Sequence, residues 1–208
     1  QSDYSITELS YAKYQVVDSR TIDGTDTVQS IETLRFADGD LDIRPDGQEL
    51  TGTSSNDTLT ADSGNDLIKG LDGDDTLKGI EGDDEIYGGN GNDSIEGGDG
   101  NDILYGDQGD DYIIGNEGVD IIRGGDGNDT LQDFGDSTIY GDAGNDNIGV
   151  NTSNNYSNQY ADGLIVYGGD GDDYIDGREF KKVDAGSGDD IVYTSFSNDQ
   201  NPTLIGGD

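Results

Sequence analysis

The chain has 208 residues, 47 acidic against 10 basic, which gives a formal charge of −37, and it holds neither histidine nor cysteine. That charge speaks against nucleic acid as a partner, and the missing residue types exclude Ser-His-Asp and Cys-His nucleophilic sites, the usual zinc ligand sets and disulfides. With 29% hydrophobic residues only a thin core is expected, and no apolar run approaches the roughly 18 residues of a membrane span.

Residues 1–50 alternate apolar and polar side chains. This predicts strands at about Tyr4 to Leu9, Tyr14 to Val17 and Thr33 to Phe36, with a turn at Ala37 to Asp40. The segment reads as an N-terminal β cap, because the terminal coil of a repetitive fold needs a cover.

From Gly52 onward the chain is periodic. GTSSNDTLT (Gly52 to Thr60) is followed in register by ADSGNDLIK, GLDGDDTLK, GIEGDDEIY, GGNGNDSIE, GGDGNDILY, GDQGDDYII, GNEGVDIIR and GGDGNDTLQ, ending at Gln132, and then by GDAGNDNIG (Gly141 to Gly149), GGDGDDYID (Gly168 to Asp176) and AGSGDDIVY (Ala185 to Tyr193). Most units carry glycine at two or three of positions 1, 2 and 4, and every unit has aspartate at position 6 and an aliphatic residue at position 8. A short fixed period of this kind decides the architecture before any local propensity does.

Glycines allow positive φ and a tight curl of the backbone, so each unit is expected to split into a six-residue turn and a three-residue strand. Strand alternation then buries position 8 and turns positions 7 and 9 outward. The turn offers only oxygen. Hard cations, calcium above all, take about 6 to 8 oxygen ligands, more than one turn supplies, so stacked turns should share each ion. The candidate metal ligands are Asp57, Asp66, Asp75, Asp84, Asp93, Asp102, Asp111, Asp120, Asp129, Asp146, Asp173 and Asp190. Backbone carbonyls near Gly64, Gly73, Gly82, Gly91, Gly100, Gly109, Gly118, Gly127, Gly144, Gly171 and Gly188 complete the set. Shared between neighbours, these turns would hold roughly 8 to 11 Ca²⁺ ions.

The units resemble the RTX nonapeptide G-G-x-G-x-D-x-U-x over about Gly52 to Tyr193, and Asp23 to Ile43 looks like the segment that often precedes such arrays. The resemblance implies an all-β fold, a right-handed parallel β-roll of two sheets with about 18 residues per coil, spanning residues 51–208. It also implies a calcium-bound module of a secreted bacterial protein exported by type I secretion, found in the extracellular medium or at the cell surface. In that role the acids are ligands rather than the mark of a disordered chain, and calcium binding and folding are expected to be one event.

If successive turns alternate between two rims, every irregularity falls on one of them: the shortened DFGDS (Asp133 to Ser137), insertions at about 150–163 and 194–202, and GREFKK (Gly177 to Lys182). The first rim should keep an unbroken aspartate row, while the second keeps one only as far as Asp120. That altered rim carries Phe134, Tyr156, Tyr160, Arg178, Phe180, Lys181 and Lys182. The last six form a candidate ligand surface for an anionic polysaccharide, or alternatively loops in which lysines replace the charge of a lost ion. Outward positions of the sheet that follows this rim, among them Leu67, Tyr87, Ile103, Tyr105, Ile121, Tyr140, Ile165 and Tyr167, make an apolar stripe open to a sugar, a neighbouring domain of the same protein or the N-terminal segment. A carbohydrate-binding accessory module and a surface-layer or adhesin segment are therefore the alternatives to a calcium-folded export module. No catalytic constellation is present, and the chain is expected to be a non-enzymatic piece of a longer product, since no methionine occurs in it and Gly206, Gly207 and Asp208 open another unit.

Overall fold

The computed structural model describes residues 47–150, 163–178, 180–195 and 203–206, together with the backbone of the strands between residues 4 and 42. Two compact units emerge, Gln1–Gly47 and Gln48–Asp208. In the first, Tyr4–Ser10, Lys13–Asp18 and Thr25–Gln29 form an antiparallel meander, and Thr33–Phe36 pairs with Gly39–Asp42 in a hairpin. The strands Thr25–Gln29 and Gly39–Asp42 go beyond the sequence reading. Polar residues and a glycine mask their alternation, and the second occupies part of the stretch read as a turn.

The second unit is a parallel solenoid of two sheets. Nine strands, from Glu49–Thr51 to Thr203–Ile205, stack in one sheet, and eight, from Thr58–Thr60 to Ile191–Ser195, in the other. Each strand pairs with the one two places along the chain. Glu85 sits beside Leu67 and Ile103, and Ser94 beside Thr76 and Tyr112, so one coil takes 18 residues. Glu49–Thr51, which straddles the boundary that the sequence reading sets between residues 50 and 51, opens the first sheet because Leu50 falls in line with Ile68.

The division within a unit differs from expectation. Most strands run six residues, as in Ser94–Asp99, and cover positions 7, 8 and 9 together with positions 1, 2 and 3 of the next unit. Two side-chain positions per unit therefore point inward, position 8 and position 1. The aliphatic ladder Ile68, Leu77, Ile86, Ile95, Leu104, Ile113, Ile122, Leu131, Ile139 and Ile148 is at most 1% exposed. Glycine at position 1 lies inside as well, next to the turn. Positive φ belongs to positions 2 and 4, as at Gly89 (113°) and Gly91 (131°), and Leu71 and Ile80 hold it at position 2 without glycine, at 86° and 95°. An isoleucine in that conformation costs about 1 to 2 kcal/mol, a local strain that the stacked neighbours hold in place.

Leu104 has no solvent exposure and a rung above and below it. Leu104→Ala should lower the stability of the calcium-loaded chain by about 2 to 5 kcal/mol, read from urea unfolding. The same truncation at the exposed Leu71 should change it by less than about 1 kcal/mol.

Candidate metal centre

Turns alternate between two rims, and the position-6 aspartates form a file along each. On the first rim the file is Asp57, Asp75, Asp93, Asp111, Asp129, Asp146, Asp173 and Asp190, and on the second Asp66, Asp84, Asp102 and Asp120. Within a file each backbone N–H donates to Oδ1 of the aspartate one coil on: Asp75 to Asp93 at 2.7 Å, Asp93 to Asp111 at 2.7 Å, Asp84 to Asp102 at 2.8 Å. On the first rim the bonds persist where coil length changes, over 17 residues from Asp129 to Asp146 and 27 from Asp146 to Asp173. The shortened turn Asp133 to Ser137 lies on the second rim, while most residues of the insertions at about 150–163 and 194–202 lie outside the described residues.

This bond fixes one carboxylate oxygen and strands the other. Oδ2 of Asp66, Asp75, Asp84, Asp93, Asp102, Asp111, Asp120, Asp129, Asp146, Asp173 and Asp190 is buried without a hydrogen-bond partner. Asp57 differs: its Oδ2 accepts from the N–H and hydroxyl of Thr53, at 2.6 and 2.9 Å, since this first, weakest unit has threonine at position 2.

Position 1 favours glycine for room rather than for φ, although Ala61, Ala185 and Asp133 also occupy it. A Cβ on Gly88 would come 2.7 Å from the carbonyl oxygen of Gly106 and closer still to Oδ2 of Asp93. Position-4 glycines stack in the same way, with Gly82 against the carbonyl of Gly64. Carboxylate and carbonyl oxygens thus crowd the space between successive turns. Among the described residues no three acidic side chains converge on one point, so carbonyls would have to supply much of any coordination shell. The donor set is all oxygen, anionic and buried, and it fits a hard divalent ion.

Burial pushes the carboxyls of Asp84, Asp111 and Asp146 up to about 7, and those of Asp93, Asp102, Asp129 and Asp173 up to about 6. Hydrogen bonds from the neighbouring amides pull the other way, and the charges of nearby aspartates add to the rise.

Position 5 carries a second ladder that the sequence reading passed over. Asn or Asp side chains there accept the position-5 N–H of the next coil, as in Asp74 to Asn56 (3.1 Å), Asn92 to Asp74 (2.9 Å) and Asp110 to Asn92 (3.0 Å). The signal was available, since position 5 is Asn or Asp in eleven of the twelve units and Val119 is the exception.

On the second rim the file changes character after Asp120. Ser137 takes position 6 and accepts the Asp120 N–H at 2.7 Å, and Asp133 occupies position 1, fully buried. Leu164 and Phe180 follow, at 0% and 2% exposure. Phe180 is therefore a core residue and offers no ring to a ligand: with the aspartate gone, an apolar side chain fills the rim. Lys181 is exposed, whereas Lys182 faces outward from the sheet, pairs with Asp184 at 3.1 Å and lies 4.1 Å over the Tyr167 ring. Tyr156, Tyr160 and the side chain of Arg178 lie outside the described residues.

The apolar stripe likewise spends its rings internally. Tyr87 stacks on Tyr105 and Tyr140 on Tyr167, with centroids 4.8 and 4.9 Å apart, and Arg123 lies 4.2 Å over Tyr140 while bonding both oxygens of Asp142. Faces that a sugar would need are turned toward neighbouring coils. Among the described residues no helix is long and apolar enough to cross a membrane.

The family model of the RTX calcium-binding nonapeptide repeat (4 copies) matches residues 51–79, 78–113, 96–131, 133–156, 165–180 and 182–200, well over half of the chain. No curated protein matches it.

Two outcomes are expected. Gly106→Ala puts a Cβ 2.5 Å from the Gly124 carbonyl and onto Oδ2 of Asp111, whereas a Cβ on Gly149 meets nothing within 4 Å. The first substitution should raise the calcium concentration at half-folding severalfold and Gly149→Ala should leave it unchanged, by titration followed in circular dichroism. The second outcome concerns pH. Carboxyls that titrate near 6 to 7 in the folded chain and near 4 in the open chain take up protons on folding between those values. Protonation therefore supports the metal-free fold below about pH 4 and its support is lost as pH climbs through 7. In chelator the β signal should be larger at pH 4.5 than at pH 8. With calcium present, the midpoint should fall at least about tenfold between pH 5.5 and 8, because protons must leave before the ion binds.

Proposed function

Because the chain belongs to the family of RTX calcium-binding nonapeptide repeats, we propose that it is a calcium-driven folding module of a secreted bacterial protein, an export substrate of the type I route, and itself non-enzymatic. The observation that carries this reading is the double file of buried aspartates, each with one oxygen held by the next coil and the other without a donor. Calcium supplies positive charge at that oxygen. The aspartates bring the carboxylate, the glycines leave room for it, and the stacked coils exclude water from it.

In the cytosol, where free calcium is scarce, a chain of net charge −37 repels itself and stays open, which suits passage through a narrow channel. Outside the cell, calcium in the millimolar range reaches the affinity typical of extracellular modules, with Kd on the order of 10⁻⁴ to 10⁻³ M, and the coils close. Roughly 8 to 11 ions would be taken up along the two rims.

Circular dichroism after exhaustive chelation at pH 7.5 tests the proposal. The chain should be open, and β signal should return cooperatively as calcium rises through that range, with magnesium a poor substitute because it demands a smaller and stricter shell. A folded spectrum in excess chelator at this pH would refute it.

A further inference from the structure

Where the second file ends, the regular pattern is replaced by something built. In each regular step two position-6 aspartates of successive coils flank the gap between turns. Between the turn at Gly115 to Asp120 and the turn at Asp133 to Ser137 the upper position-6 residue is Ser137, whose hydroxyl accepts the Asp120 N–H but brings no charge. The missing carboxylate returns from position 1, where a regular unit has glycine.

Asp133 has no solvent exposure. Its Oδ2 accepts the N–H of Gly135 at 2.8 Å, which aims Oδ1 into the gap. There Oδ1 of Asp133 and Oδ2 of Asp120 come together beside Gly115, each buried without a hydrogen-bond partner. Gly115 shows that the space is kept open for these oxygens, since a Cβ on it would overlap Asp120 Oδ2 and Asp133 Oδ1 alike. Beyond this gap the rim turns apolar with Leu164, so no further carboxylate of the file shares the load.

We propose that Asp120 and Asp133 hold one additional hard divalent cation, of the calcium class, in a site that departs from the repeat by moving one ligand from position 6 to position 1. The site closes the second row. It rests on the calcium reading above and adds to it a ligand that the repeat pattern does not contain. Two full carboxylates facing one another in a buried gap need a positive charge between them, and the all-oxygen surroundings select a hard ion.

Anomalous scattering from crystals grown in calcium separates the outcomes. A peak between Asp120 and Asp133 is expected in the natural chain. In Asp133→Asn and in Asp133→Gly, which restores the regular glycine, that single peak should vanish while those along the first rim remain, with one fewer calcium per chain in equilibrium dialysis. Peaks along the first rim with none at Asp133 in the natural chain would overturn this inference alone, leaving a proton shared by the pair as the answer. No calcium anywhere would sink it together with the function proposed above. Should either variant fail to fold, the map of the natural chain decides.

Discussion

A single hydrogen bond, from the amide of each position-6 aspartate to Oδ1 of the aspartate one coil on, governs the roll. It sets the carboxylates in files about 4.8 Å apart, the spacing of strands in a sheet. At an effective dielectric of about 20, neighbouring charges at that distance repel by roughly 3 kcal/mol. A buried isoleucine rung contributes about 1.5 to 3 kcal/mol, which ordering two or three residues already consumes. The geometry that makes the coils register is thus the geometry that drives them apart, and cations between the turns reconcile the two.

Much of this was legible in the sequence. The period gave the coil, the aliphatic at position 8 gave the inner ladder, and the breaks gave the altered rim, because each is a one-dimensional pattern and the fold is close to one-dimensional. What escaped depends on contacts across coils. Glycine at position 1 looks like a conformational choice until the carboxylate of Asp93 is seen to fill the space beside Gly88. Phe180 reads as a loop aromatic in GREFKK, and only the loss of an acid at Leu164 explains why it turns inward. The tyrosines of the stripe look like a platform, yet residues 18 apart on one face are neighbours whose rings find one another first. Asp133 was passed over since a pattern search treats an acid in place of glycine as noise.

The second rim shows two solutions to one problem. As far as Asp133 its interior is ionic, and from Leu164 onward it is hydrocarbon. Both fill the turn, but only the first needs an ion to do so. On the proposed calcium reading, the coils near Asp84 and Asp102 would depend on metal at both rims, and those near Val166 and Ile175 at one. Stability along the roll should be graded accordingly, as in other repeat arrays where each unit answers chiefly to its neighbours.

The bonds that span 17 and 27 residues on the first rim have a wider meaning. They show that the length of peptide looping round the far side is invisible to the near one, so material can be gained or lost there without a compensating change elsewhere. One flank of such a molecule works as an inherited spine, and the other is open ground on which new loops can be tried by evolution or by protein engineers.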